Sequence, residues 1–321
     1  MSPLSAASGR DLLLRKARFL LLLSVIAALF FVGDRVSSGF LTWRHAGVIL
    51  RTASFVGVAA IGQTLVVLTG GIDLSVGALI TMGNVFTCMF VNGQNGNTLH
   101  AVLLVFLIGA MAGCLSGFGV SVLHISPMVM TMATGTIVTG ITLVASHGSP
   151  KGQASPLLRV LGVGSRLGLP VTVWLWLALS IVVVIVLRRT TFGRKIYCVG
   201  AGETAALFSG IDVNSVRIRC YAISGVTAML VGVMMAGYTE TAFLGIGTEY
   251  TLSSITAVVI GGTSMAGGRG SYTGTVLGAI LLVLIESLLT VMNIQEAGKK
   301  IVGGLVILAI ITLYYRAEKR G

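Results

Sequence analysis

Charge is scarce in this sequence: Asp, Glu, Lys and Arg make up 10% of its 321 residues, where a soluble domain carries roughly 25%. That shortage, with 55% hydrophobic residues and a mean hydropathy of +0.97, argues against a water-soluble fold and predicts an all-α, polytopic transmembrane helical bundle. Proline is also scarce, at 5 residues, whereas glycine reaches 43. Few helices are then kinked by proline, and many can approach one another through glycine notches.

Missing motifs narrow the chemistry. The four cysteines (Cys88, Cys114, Cys198, Cys220) form no C-x-x-C pair and the four histidines (His45, His100, His124, His147) no H-E-x-x-H, so neither a metal site nor a cofactor is expected. There is no G-x-x-x-x-G-K-[ST] loop to cradle nucleotide phosphates. No G-x-S-x-G, paired carboxylates or Ser/His/Asp grouping marks a catalytic centre, so no catalytic residue is expected. The formal charge of +12 comes without aromatic residues interleaved in a basic stripe, which argues against a nucleic-acid partner.

What is present is a series of apolar runs of the length, about 20 residues, that crosses a bilayer. About ten occur, over residues 18–38, 52–70, 74–92, 100–123, 126–146, 170–187, 219–243, 251–265, 272–292 and 299–315. The eighth is short, as a broken or partial helix would be. Arg10, Arg15, Lys16 and Arg18 before the first run resemble the start of a secretory signal, but no A-x-A-type cleavage site follows. The run therefore reads as a retained first span, and residues 1–321 as one transmembrane domain.

Placing both termini in the cytoplasm puts 14 Lys and Arg residues inside and 8 outside, the sense of the positive-inside rule. Two polar excursions remain, 147–169 outside and 188–218 inside. In the second, Glu203 to Ser209 combine helix formers with an early acid, and Gly210 stands where a helix would end.

The most pointed stretch is Gly71-Ile72-Asp73-Leu74-Ser75-Val76-Gly77, which sets a carboxylate between two apolar runs. A charge there is costly enough to suggest a role. In one reading the glycines break the helix and Asp73 or Ser75 caps the next. In the other, Asp73 and Glu286 of the ninth run carry an ion or proton. Gly267-Gly268-Arg269-Gly270 reads as a tight turn with a topology-setting charge rather than a phosphate nest. Val66-Val67-Leu68-Thr69-Gly70-Gly71 and Val258-Val259-Ile260-Gly261-Gly262 echo each other at different positions in the two halves.

These stretches occur in an order that resembles the permease subunits of bacterial ABC importers for ribose and related sugars, within the branched-chain transport permease superfamily. The similarity runs through Gly70 to Gly77, through Pro127 to Thr136 (a Pro-x-hydrophobic-x-x-Thr pattern), through Gly193 to Ile211 (G-R-x-x-Y-A-x-G-G-N-x-x-A-A-x-x-S-G-I) and through Ala257 to Gly274. Two departures stand out. Cys198-Val199-Gly200-Ala201-Gly202 lacks the family's asparagine, and Glu249-Tyr250-Thr251-Leu252-Ser253-Ser254-Ile255 lacks its aspartate.

The resemblance implies a type II-like inner-membrane permease that works by alternating access. Its implied partners are a second permease subunit (in a homo- or heterodimer), a cytosolic ABC ATPase and a periplasmic sugar-binding protein. It further implies that 188–218 couples to the ATPase through Gly193, Arg194, Glu203, Ala205, Gly210 and Asp212. A neutral sugar needs hydrogen-bond partners rather than ion pairs, so Gln63, Thr64, Asn84, Thr131, Thr134 and Thr136 are candidate pathway residues, with Glu286 a further one, as a carboxyl facing a water-filled cavity or an interface. Gly71, Asp73, Ser75, Gly77, Gly267, Gly268, Arg269 and Gly270 are expected at structural or gating turns. An ion-coupled secondary transporter is the competing reading, and an intramembrane enzyme a lesser one.

Overall fold

Apolar runs fold as helices because hydrocarbon offers backbone N–H and C=O groups no partners but each other. The computed structural model, which describes residues 9–37, 39–295, 297–299 and 301–305, is correspondingly almost all helix. In chain order its elements are α1 (Gly9–Val36), α2 (Trp43–Leu68), α3 (Val76–Val91), α4 (Asn95–Ser121), α5 (Pro127–Ala145) and α6 (Pro156–Val163). A two-stranded hairpin, β1 (Ser165–Arg166) and β2 (Leu169–Pro170), leads to α7 (Val171–Arg189), α8 (Thr191–Ala201), α9 (Glu203–Phe208), α10 (Val213–Thr239), α11 (Thr248–Ile260) and α12 (Tyr272–Val291).

Seven of these, α1, α2, α4, α5, α7, α10 and α12, are long and apolar enough to cross a membrane. The third and eighth expected runs appear as α3 and α11, helices of only 16 and 13 residues. The tenth, 299–315, lies largely outside the described residues. Both polar excursions hold structure of their own: α6 and the hairpin in 147–169, and α8 and α9 in 188–218. The short helix expected from Glu203 is α9, but α8 before it is not foreseen from the apolar runs. It is an amphipathic helix that buries Gly193, Ile196 and Val199 and exposes Arg194 and Lys195.

The described residues form two compact units, 50–279 and the flanking segments on either side. In the flanking unit, His45 Nε2 lies 3.0 Å from Ser287 Oγ, and the Phe40 ring occupies the space a Cβ on Gly33 would need. In the larger unit, α10 packs against α3, α4 and α6. Glycines make this close approach possible. Gly109, Gly113 and Gly117, four residues apart on α4, lie against Gly225, Tyr221 and Ile218 of α10, and a Cβ on Gly225 would strike the Gly109 carbonyl oxygen. Gly83 of α3 meets Met229 and Gly232, and Gly162 of α6 meets Gly237. Where lipid removes the hydrophobic drive between helices, such backbone proximity supplies the packing.

One buried cluster fixes the region of interest. Leu65 and Leu68 of α2, Ile196 and Val199 of α8, Val213, Val216 and Tyr221 of α10, and Tyr272 of α12 pack together. The Tyr272 hydroxyl donates to the Gly57 carbonyl at 2.8 Å and accepts from Trp176 Nε1 at 2.9 Å. The first turns of α10 and α12 and the ends of α2 and α8 are thereby held in one place.

Candidate functional site

Between α2 and α3 the chain leaves the helix for residues 69–75. Gly70, at φ +80°, closes α2: its N–H donates to the Val67 carbonyl at 2.9 Å, and the Gly71 N–H to Val66 at 3.0 Å. This is the 6→1 and 5→2 pattern that satisfies a helix's last carbonyls. A non-helical segment buried in protein must find other partners for its polar groups, and here they come from three elements. The Tyr221 hydroxyl of α10 donates to the Ile72 carbonyl at 3.3 Å. Leu74 N–H donates to Thr131 Oγ1 of α5 at 3.0 Å, and Gly77 N–H to Thr251 Oγ1 of α11 at 3.0 Å. Asp73 takes the rest.

The Asp73 side chain is buried and accepts three bonds: from Ser75 N–H at 2.9 Å and Ser75 Oγ at 2.6 Å on one oxygen, and from Ser224 Oγ of α10 at 2.6 Å on the other. It makes a turn that reaches two residues ahead, and the N-cap of α3 is Ser75, whose own side chain makes no cap bond. Burial pushes the Asp73 carboxyl up from its usual value, while the bonds from Ser224 and Ser75 work against that shift. Neither of the two ion pairs among the described residues includes it.

The glycine turn at 267–270 meets the same place. Gly267 and Gly268 both have positive φ, and Gly268 N–H donates to the last α2 carbonyl, that of Leu68, at 3.0 Å. Tyr197 of α8 donates from its hydroxyl to the Gly270 carbonyl at 3.0 Å. Gly200 of α8 lies so close to the Leu68 oxygen and the Gly268 nitrogen that any side chain there would collide. Gly71 is held likewise, since its missing Cβ would sit 2.5 Å from the Tyr221 hydroxyl. The turns expected from sequence thus meet at the end of α8, while Arg269 remains exposed.

Beyond that junction α9 stands out from the bundle. Thr190 caps α8 by accepting from Gly193 N–H at 3.2 Å, and Asp212 caps α10 by accepting from Ser215 N–H at 3.1 Å. Gly210, at φ +71°, closes α9. Ala206 is buried while Ala205 is exposed, and Phe208 is 90% and Leu207 56% exposed. Glu203 pairs with Arg217 of α10 at 2.9 Å. Of the expected coupling residues, Glu203, Ala205, Gly210 and Asp212 lie together around α9. Arg194 is exposed on α8, and Gly193 is buried where α8 meets the end of α7.

The expected pathway residues fare differently. Thr64 donates to the Ala60 carbonyl at 2.6 Å and lies 3.1 Å from Thr275 Oγ1. Asn84 accepts from Phe243 N–H at 2.8 Å and reaches Thr239 at 3.5 Å, so it anchors the segment after α10. Thr131 donates to Pro127 at 2.8 Å, Thr134 accepts from Ser116 at 2.9 Å, and Thr136 bonds its own helix at Met132. Glu286 is exposed, and it lies in the flanking unit. Gln63 alone of the set is fully buried with neither amide atom hydrogen-bonded. Sequence reasoning missed Tyr221, Ser224, Arg217 and Phe208, whose roles depend on contacts distant in the chain or on exposure.

A family model described as "Branched-chain amino acid transport system / permease component" matches residues 46–311. The chain belongs to that permease family. The permease is 34% identical to the ribose import permease protein RbsC of Escherichia coli over 294 residues, 90% of this chain and 91% of that one. The RbsC of Bacillus subtilis is 34% identical over 268 residues, 83% of each chain. The L-arabinose transport system permease protein AraH of Escherichia coli is 29% identical over 309 residues, covering 93% and 92%. No solved structure matches. The family match and the seven spanning-length helices identify a multi-pass membrane protein.

Proposed function

We propose that this permease is the membrane subunit of an ATP-driven importer for a monosaccharide of the ribose type or a related polyol. The observation that carries the proposal is the similarity, over nearly the whole chain, to permeases named for ribose and L-arabinose. It would work as a type II-like, ten-span subunit of the inner membrane with both termini cytoplasmic, counting α3, α11 and the run at 299–315 as spans. A second permease subunit, a cytosolic ABC ATPase and a periplasmic sugar-binding protein complete the assembly.

In this reading 147–169 is periplasmic, and 188–218 is the cytoplasmic surface that docks on the ATPase. An apolar knob on a short exposed helix supports that role. Phe208 and Leu207 protrude, and aromatic anchors of this kind carry much of the energy at protein interfaces. The α2–α3 break and the 267–270 turn are the gating elements. ATP binding to the partner would supply the differential affinity that any shift between two access states requires. Gln63 is the preferred pathway residue because its amide is unspent. Asp73, committed to Ser75 and Ser224, serves the turn rather than an ion. Uptake of radiolabelled ribose and L-arabinose into proteoliposomes holding the whole complex tests the proposal. Uptake driven by ATP supports it, and uptake that ignores ATP but follows an ion gradient refutes it.

A further inference from the structure

We propose that one face of α10 is the rod that carries movement of α9 to the α2–α3 break, with Arg217, Tyr221 and Ser224 as positioning residues; the proposal rests on the docking role given to α9 above. The three are spaced i, i+4 and i+7, so they share a helix face. Each grips a different point along one line. Arg217 holds Glu203 of α9 at 2.9 Å, Tyr221 holds the Ile72 carbonyl at 3.3 Å, and Ser224 holds the Asp73 carboxylate at 2.6 Å. The line runs from the edge inward: the Arg217 side chain is 18% exposed, and Tyr221 and Ser224 are buried.

Two further observations suit a rod rather than a static brace. A Cβ on Gly71 would sit only 2.5 Å from the Tyr221 hydroxyl, so the ring lies close against the break and cannot advance far without displacing it. A cavity of about 280 Å³, lined among others by Gly70, Gly71, Ser126, Arg217 and Tyr221, borders the break. Packed interiors move between discrete arrangements rather than deforming continuously, and this space leaves the break room to shift.

The test uses the complete complex in proteoliposomes, with radiolabelled ribose or L-arabinose, whichever it imports, and reads sugar moved per ATP hydrolysed. Arg217→Met and Ser224→Ala should each lower that ratio about fivefold or more while the ATPase still co-purifies. The double variant should be no worse than the worse single, because both cut one line. Exchanging the charges, Glu203→Arg with Arg217→Glu, should move more sugar per ATP than either reversal alone. Wild-type ratios in both single variants, or losses that multiply in the double, overturn the rod. Phe208→Asp separates this from the docking role. If the ATPase still co-purifies with it and uptake is normal, docking fails and the rod with it. If the ATPase is lost from Phe208→Asp while Arg217→Met and Ser224→Ala keep a normal ratio, the rod alone fails.

Discussion

Asp73 offers the sharpest separation between a structural carboxylate and a charge carrier. Its two oxygens accept from Ser75 N–H, Ser75 Oγ and Ser224 Oγ. In Asp73→Asn the remaining carbonyl oxygen keeps both Ser75 bonds, and the amide nitrogen faces a Ser224 hydroxyl that can accept as well as donate. Every group bonded to Asp73 is one a neutral amide can also pair with, so the expected cost of Asn is under about 1 kcal/mol. Asp73→Ala strands a buried backbone N–H, at about 1–3 kcal/mol, and two hydroxyl bonds at about 1 kcal/mol each, for about 3–5 kcal/mol in all. Thermal melting of the detergent-solubilised permease, with ATP-driven uptake at matched membrane levels, reads both effects. An Asn variant that inserts and melts like wild type yet transports no better than Ala would refute this account of Asp73 and reinstate charge coupling.

Three further outcomes are expected. With Cys198 as the sole cysteine, a membrane-impermeant maleimide should label inside-out vesicles and spare spheroplasts, since Cys198 is exposed on α8; the reverse pattern would invert the topology. Gly225→Leu should lower the melting temperature and the membrane level of the permease, because the side chain would enter the Gly109 backbone; overpacking of this kind costs about 1–3 kcal/mol or more, and an unchanged melt would deny the α4–α10 contact. Glu203→Lys should set like charges against each other at Arg217, and Gly210→Trp should strain a residue at φ +71°. Both should insert but move less sugar per ATP, and normal uptake in both would remove α9 from the coupling surface.

Much of this architecture is legible in the sequence because hydropathy and glycine act locally. The break after α2 follows from Gly70, Gly71 and Asp73, and the end of α9 from Gly210. Other features escape for physical reasons. α8 carries a narrow apolar face of Gly193, Ile196 and Val199 among basic residues, so no hydropathy window flags it. Ser224 lies 151 residues from the Asp73 it serves, and nothing local links them. Asn84 shares with Gln63 a primary amide that its own helix cannot easily satisfy, and Thr131 and Thr134 are hydroxyls in apolar runs, yet each of the three is spent on a neighbouring element. Three-dimensional accounting separates them from Gln63.

The proposed function makes sugar movement depend on ATP bound by a partner. The most direct measurement is sugar uptake by proteoliposomes containing the permease, its ATPase and its binding protein, with ATP and with an ionophore varied independently. Uptake should require ATP on the ATPase side, vanish when the ATPase is omitted, and be indifferent to the ionophore. Uptake that persists without the ATPase and collapses when the ionophore dissipates the gradient would contradict it.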